Sequence, residues 1–250
     1  MRLDKFLANM GIGTRNEVKQ SLKKGYVKVN DKVNKSPKTQ INPDEDIITV
    51  NGEKIIYIDK VYIMLNKPSD VVSATEDDKH QTVIDLIPEY KHLGIFPVGR
   101  LDKDTEGLLL ITNDGQFNHN LMSPNKHVPK TYEVVSKNDV TQSDVERFKE
   151  GLELSDGLVK PAQLEIIENR RSRVTIYEGK YHQVKRMFHE IENEVLQLKR
   201  IKIANLELDT SLKLGEFRLL TEEDFKLLES QLGRIPYLYD FYIKNMLSPT

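Results

Sequence analysis

The chain changes texture at Val61, and that break constrains its fold more than any other feature of the sequence. Ahead of it, helical periodicity gives way to short alternating segments. Leu3, Phe6, Leu7 and Met10 fall at i, i+3, i+4 and i+7, which predicts a short helix that Gly11 ends. Thr14-Arg15-Asn16-Glu17 has the form of a capping box and opens a second helix, closed by Gly25. Tyr26 to Val29 alternates as a strand, Asn30-Asp31 is a turn, and a second strand follows around Val33. Ile47 to Val50 leads into Asn51-Gly52, a two-residue hairpin signal. These elements fit a small α/β domain over residues 1–58.

Beyond Val61 the pattern predicts strands at 61–65, 108–112, 131–135, 173–177 and 195–203, with helices at 141–150, 182–191 and 222–231. They intersperse without a βαβ rhythm. That argues for an α+β domain over residues 61–232, built on a mixed, mainly antiparallel sheet with flanking helices. Residues 233–250, including the aromatic run IPYLYDFYIKNML, form a tail to which no role is assigned.

Composition narrows the chemistry. The chain has no cysteine, which excludes disulfides, thiolate nucleophiles and cysteine-based zinc sites. The N-terminal residues lack a secretory apolar region, and no apolar run reaches membrane-spanning length, so a cytoplasmic protein is expected. Charge is unevenly distributed. The first 40 residues hold ten Lys/Arg against three acids, a surplus of +7 in a chain whose net charge is −2. Arg15, Lys19 and Lys23 recur at i, i+4, i+8 and share one face of the second helix, with Lys24 beside them. A solvated helix face is the plain reading of such a run. The excess confined to one end favours contact with a polyanion.

Two clusters carry the candidate chemistry. In PVGRLDKDTEGLLLITNDG (97–115), Asp102, Asp104 and Glu106 precede an apolar strand. The spacing imitates the first half of a calcium loop, but Leu110 and Asn113 stand at the ninth and twelfth positions, where that loop needs ligands. A carboxylate pair flanking a scissile bond stays open, since residues two apart in an extended segment share a face. An ordinary solvated turn suits Asp104 and Glu106 better than Asp102, which sits beside Arg100 and just ahead of the strand. In the second cluster, YEGKYHQVKRMF (177–188), Val184, Met187, Phe188 and Ile191 form a buried helical stripe. Lys180, Lys185, Arg186 and His189 face elsewhere, at a helix start suited to phosphate. None of the six histidines has a metal-ligand spacing, so surface or core hydrogen bonds are expected of them.

Together these residues resemble a known family. Gly99-Arg100-Leu101-Asp102, followed by Asp104-Thr105, Gly107-Leu108-Leu109, Thr112 and Asp114-Gly115, resembles the signature motif of RNA pseudouridine synthases. Asn66-Lys67-Pro68, Lys130-Thr131-Tyr132 and Glu178 to Met187 match further landmarks in order. Residues from Arg2 to Asn30 look like an S4 RNA-binding domain, and the combination is similar to the ribosomal small-subunit pseudouridine synthase A family over about residues 1–230.

The resemblance implies that Asp102 is the nucleophile, Tyr132 stacks on the base, and Lys185 partners the aspartate and keeps it charged. It implies RNA contacts from Arg100, Lys67, Lys180 and Arg186, and from Arg15, Lys19, Lys23 and Lys24 of the S4 segment. No metal or organic cofactor is expected. The implied partner is ribosomal RNA, 16S within an assembling small subunit, engaged by a monomer. A 23S substrate and a non-catalytic S4-bearing assembly factor are the alternatives. Asp70 stands where relatives often have glycine after Asn-Lys-Pro, and Thr14 replaces a more usual serine cap.

Overall fold

In the computed structural model, which describes residues 1–233, the chain divides into two compact units. The first contains helices α1 (Leu3–Asn9) and α2 (Arg15–Lys23). Helices this short are marginal alone and are held by the apolar face they bury. Leu3, Phe6 and Leu7 of α1 and Val18 and Leu22 of α2 pack with Val27, Ile41, Ile48 and Val50. The capping box at Thr14 is formed: its hydroxyl accepts from the Glu17 amide at 3.4 Å, and the Glu17 carboxylate accepts from the Thr14 amide at 2.6 Å.

Strands β1 (Val27–Val29), β2 (Lys32–Val33), β3 (Ile48–Val50) and β4 (Glu53–Lys54) form an antiparallel sheet in the order β2-β1-β3-β4. Both hairpin turns have two left-handed residues. Asn30 and Asp31 have φ of 49° and 65°, and Asn51 and Gly52 have 53° and 84°, as the two-residue hairpin requires. One segment departs from the expected division. Pro88–Ile95, assigned by sequence to the second domain, clusters with the first unit. There the His92 ring lies so close to Gly11 that a Cβ on Gly11 would approach its Cγ to 2.8 Å.

The second unit is built on one large sheet. Its strands are β5 (Tyr62–Lys67), β6 (Phe96–Pro97), β7 (Glu106–Thr112), β8 (Lys130–Ser136), β9 (Glu153–Leu154), β10 (Gly157–Leu158), β11 (Gln163–Glu168), β12 (Arg171–Ile176), β13 (Val195–Ile203), β14 (Leu206–Glu207) and β15 (Phe217–Leu219). The order is β11-β12-β8-β13-β7-β5-β15, with β14 on β13 and β6 on β7, while β9 and β10 pair separately. Every pairing is antiparallel except β13 with β7. The mixed, mainly antiparallel sheet expected from the sequence is therefore present.

Helices α3 (Gly115–Met122), α4 (Gln142–Glu150), α5 (Gln183–Glu190) and α6 (Glu222–Leu232) complete the unit. Leu108 to Thr112 is buried throughout, so β7 is covered on both faces and fixes whatever loop precedes it. Phe117 of α3, Phe225 of α6 and Tyr62 of β5 meet edge to face, with centroids 5.1 to 6.3 Å apart. Helix α3, absent from the sequence reading, is capped by Asp114, whose carboxylate accepts from the Gln116 and Phe117 amides. The aromatic tail lies outside the described residues from position 234 onward.

Candidate active site

The loop that carries Asp102 is clamped from beneath. Gly99 begins it with φ of +73°, and a Cβ there would collide with the Met122 sulfur. The Ser73 hydroxyl accepts from the Leu101 amide at 3.1 Å and donates to its carbonyl at 2.9 Å. The Thr105 amide donates to the Asp102 carbonyl at 3.0 Å. Lys67, at the end of β5, donates from Nζ to the carbonyls of Pro68 (2.9 Å), Lys103 (3.1 Å) and Thr105 (2.8 Å). Lys67 is fully buried, which corrects the expectation that it contacts RNA: its charge is spent on the loop's own backbone. Burial lowers its pKa to about 8, against the opposing pull of Asp104, Asp102, Glu106 and Asp70. Asp70 itself has φ of +64°, the left-handed conformation that glycine adopts freely.

Above this base the Asp102 carboxylate meets two side chains from the start of α5. Lys185 Nζ lies 3.1 Å from Oδ2, and His182 Nε2 lies 3.4 Å from Oδ1. About a quarter of the Asp102 side chain stays exposed, so the carboxylate is held yet reachable. Lys185 also makes a shorter contact, 2.6 Å, to Asp104. Asp104 is thus more than a solvated turn residue. The hydrogen bond from Lys185 holds its carboxyl below the ordinary value. Burial disfavours the Lys185 ammonium, but the carboxylates of Asp104 and Asp102 outweigh it and raise its pKa. His182 was missed in sequence, where histidines were assigned ordinary hydrogen bonds. The available signal was its place three residues ahead of Lys185, just before the helix that carries that lysine.

The remaining basic residues of the second cluster do other work than expected. Arg186 donates to both carboxylate oxygens of Asp156, to the Ser155 hydroxyl (3.1 Å) and to the Tyr181 carbonyl (3.0 Å). Lys180 Nζ lies 3.2 Å from the Gly157 carbonyl and 3.8 Å from an Asp156 carboxylate oxygen. Both were expected to bind RNA. Their cationic heads are instead engaged with the turn between β9 and β10, where they pin the loop ahead of α5. Arg100 is exposed, as are Arg15, Lys19, Lys23 and Lys24 of the first unit, so these five remain free to meet a polyanion.

Tyr132 sits on β8 and is only 8% exposed. The strand registers place Lys67, Gly107, Arg200 and Tyr132 in one cross-strand row over β5, β7, β13 and β8, sharing a sheet face. Arg200 is 2% exposed, donates from Nε to the Leu108 carbonyl at 2.8 Å, and was not anticipated. Burial lowers the pKa of Lys130 to about 8, and the nearby charge of Arg200 adds to the effect. A groove of about 430 Å³ opens beside Asp104 and Lys185, walled by Glu106, Lys199, Glu133 and Arg173. Registers set these four in one row of alternating charge. So polar a surface suits a solvated, charged chain better than an apolar small molecule.

The chain is similar to known proteins over most of its length. The family model described as RNA pseudouridylate synthase matches residues 61–190, and the S4 domain matches residues 1–47. The chain is 49% identical to the uncharacterized RNA pseudouridine synthase YtzG of Bacillus subtilis, over 91% of this chain and 98% of that protein. It is 43% identical to ribosomal small subunit pseudouridine synthase A of Vibrio cholerae, over 90% and 97% of the two chains. The Escherichia coli protein of the same name is 38% identical, over 90% and 98%. A crystal structure of a pseudouridylate synthase, 38% identical, superposes with a TM-score of 0.65 over 91% of this chain and 99% of that one. The protein is an RNA pseudouridine synthase and belongs to the ribosomal small subunit pseudouridine synthase A family.

Proposed function

We propose that the protein converts one uridine of 16S ribosomal RNA to pseudouridine, with Asp102 as the nucleophile. The observation that carries this reading is the Asp102 carboxylate, contacted by Lys185 at 3.1 Å and borne on a loop whose backbone Lys67 and Ser73 clamp. In this reading a carboxylate oxygen bonds to the target nucleotide as the N1–C1′ bond breaks. The freed base turns within the pocket, C5 joins C1′, and the aspartate is released. The C5 proton is lost and N1 gains one, so substrate and product are isomers and no co-reactant is consumed. Covalent catalysis divides one hard glycosidic step into easier ones.

Lys185 aims the carboxylate, and Tyr132 stacks on the base. Extruding a uridine from folded RNA costs a few kcal/mol, which aromatic stacking partly offsets. The S4 unit, through Arg15, Lys19, Lys23 and Lys24, supplies salt-dependent affinity for the backbone, and Arg100 holds the opened strand. The names of the relatives support ribosomal RNA of the small subunit as the substrate, and in this reading the protein meets it in an assembling subunit.

The test is to map pseudouridines by primer extension after carbodiimide treatment, on both ribosomal subunits, in cells that lack the protein. The expected result is loss of one 16S pseudouridine, restored by the wild type and not by Asp102→Asn. Loss of a 23S site instead would move the substrate. Restoration by Asp102→Asn would remove the nucleophile assignment.

A further inference from the structure

Tyr181 is the most exposed of the large apolar and aromatic side chains on the described surface, at 77%, yet its position is closely fixed. Its ring lies flat on His182, with centroids 3.7 Å apart and planes 20° from parallel. His182 in turn reaches Asp102 at 3.4 Å. The backbone beneath is equally constrained. Arg186 donates to the Tyr181 carbonyl, the Gln183 side chain accepts from the Lys180 amide at 2.9 Å, and the Gln183 amide donates to the Lys180 carbonyl at 3.2 Å. His182 is held at φ of +48°, a conformation that costs free energy in a non-glycine residue. One cation and a strained backbone thus hold the segment that carries an exposed aromatic ring, one residue from a side chain that reaches Asp102.

We propose that the Tyr181 ring, backed by His182, is a stacking platform for an unpaired nucleobase that flanks the target uridine. The inference rests on the reading of Asp102 as the nucleophile and names a recognition element of the same site. Three observations favour a base over a protein side chain as the occupant. The platform adjoins the carboxylate that must meet the flipped nucleotide. A flat ring open on one face, already stacked on the other, is the surface onto which bases stack regardless of sequence. Arg100, exposed two residues ahead of Asp102, is a cation left to meet the flanking phosphates. Extruding one uridine also leaves its neighbour unstacked, and the platform gives that neighbour a new partner.

The experiment compares wild type, Tyr181→Ala, Tyr181→Phe and Asp102→Asn on protein-free 16S rRNA transcript and on assembled small-subunit particles, following RNA affinity and pseudouridine formation. Stacking on one ring predicts that Tyr181→Ala weakens affinity and raises KM by about tenfold or more, with a smaller effect on kcat. Tyr181→Phe keeps wild-type behaviour, because the ring and not the hydroxyl carries the contact. Melting temperatures of the two Tyr181 variants are expected to match that of the wild type, since the ring is exposed. Tyr181→Ala with unchanged affinity overturns the platform. So does a loss that Tyr181→Phe fails to rescue, or one seen only on assembled particles, where the ring would be docking a protein. Retained activity in Asp102→Asn overturns the underlying reading of the site instead, so the two failures are distinguishable.

Discussion

Lys67 is the residue on which the site's geometry depends most. Three carbonyls converge on its ammonium, two of them from the loop that bears Asp102. Lys67→Met leaves those acceptors buried without a donor, at about 1–3 kcal/mol each where water cannot reach them. The expected result is a drop in urea-denaturation stability of about 3 kcal/mol at pH 7 and loss of activity through a loosened loop. The stability gap also has a definite pH dependence. The folded pKa of about 8 lies below the unfolded value, so between about pH 8 and 10.5 the unfolded chain binds more protons and the wild type gains stability. The difference between wild type and Lys67→Met therefore widens as pH rises through that window, and a constant or shrinking difference would refute the buried-cation account. At this scale the sequence was informative where two motifs meet in space, as Asp102 and Lys185 do at 3.1 Å. It was uninformative where a charge could turn inward. Lys67, Lys180 and Arg186 all read as surface cations, because nothing local reveals that distant carbonyls or Asp156 will take them up.

Among the elements, the decisive junction is the parallel pairing of two central strands, where β13 meets β7. Gly107 lies opposite Arg200 there with φ of +106°, and a Cβ would overlap the Arg200 backbone. A side chain at Gly107 therefore pries the central strands apart directly after the Asp102 loop, and backbone leaves no flexible atom to yield. Gly107→Ala is expected to destabilise the protein by about 3 kcal/mol or more, combining left-handed strain with the overlap. Differential scanning calorimetry checks this, and a melting temperature within a degree or two of wild type would contradict it. The elements that positioned this junction were legible in the sequence: β5, β7, β8, β12 and β13 all lie where apolar alternation put them. Those left unread were short or polar. Strands β9, β10 and β14 span two residues each, too few for any period to show. Strand β11 reads QLEIIE with only Leu164 buried, so no apolar alternation marks it. Helix α3 was hidden because Asp114-Gly115 reads as a turn until Asp114 is seen capping the helix.

At the scale of the whole molecule, charge is partitioned between the two units. The first presents Arg15, Lys19, Lys23 and Lys24 as exposed cations on or beside one short helix. The second, which bears the candidate nucleophile, ties several of its cations to carboxylates: Lys185 to Asp102 and Asp104, Arg186 to Asp156, Arg218 to Asp209 and Asp224. Affinity for the RNA backbone and chemistry on the base are thereby assigned to different surfaces, and they are separable by mutation. Removing three cations from α2 with Arg15→Ala, Lys19→Ala and Lys23→Ala eliminates up to three phosphate contacts. The slope of log K against log salt should then become shallower by roughly 2–3, with weaker binding at low salt and little difference at high salt. All three side chains are exposed and make no core contact, so the melting temperature should stay near wild type. The kinetic penalty should fall in KM, since the Lys185–Asp102 pair lies in the other unit. A binding titration from 50 to 300 mM salt decides the matter. An unchanged slope would mean that the S4 unit holds RNA through something other than this helix face, and would move the search for phosphate contacts to Arg100 and the groove beside Lys185.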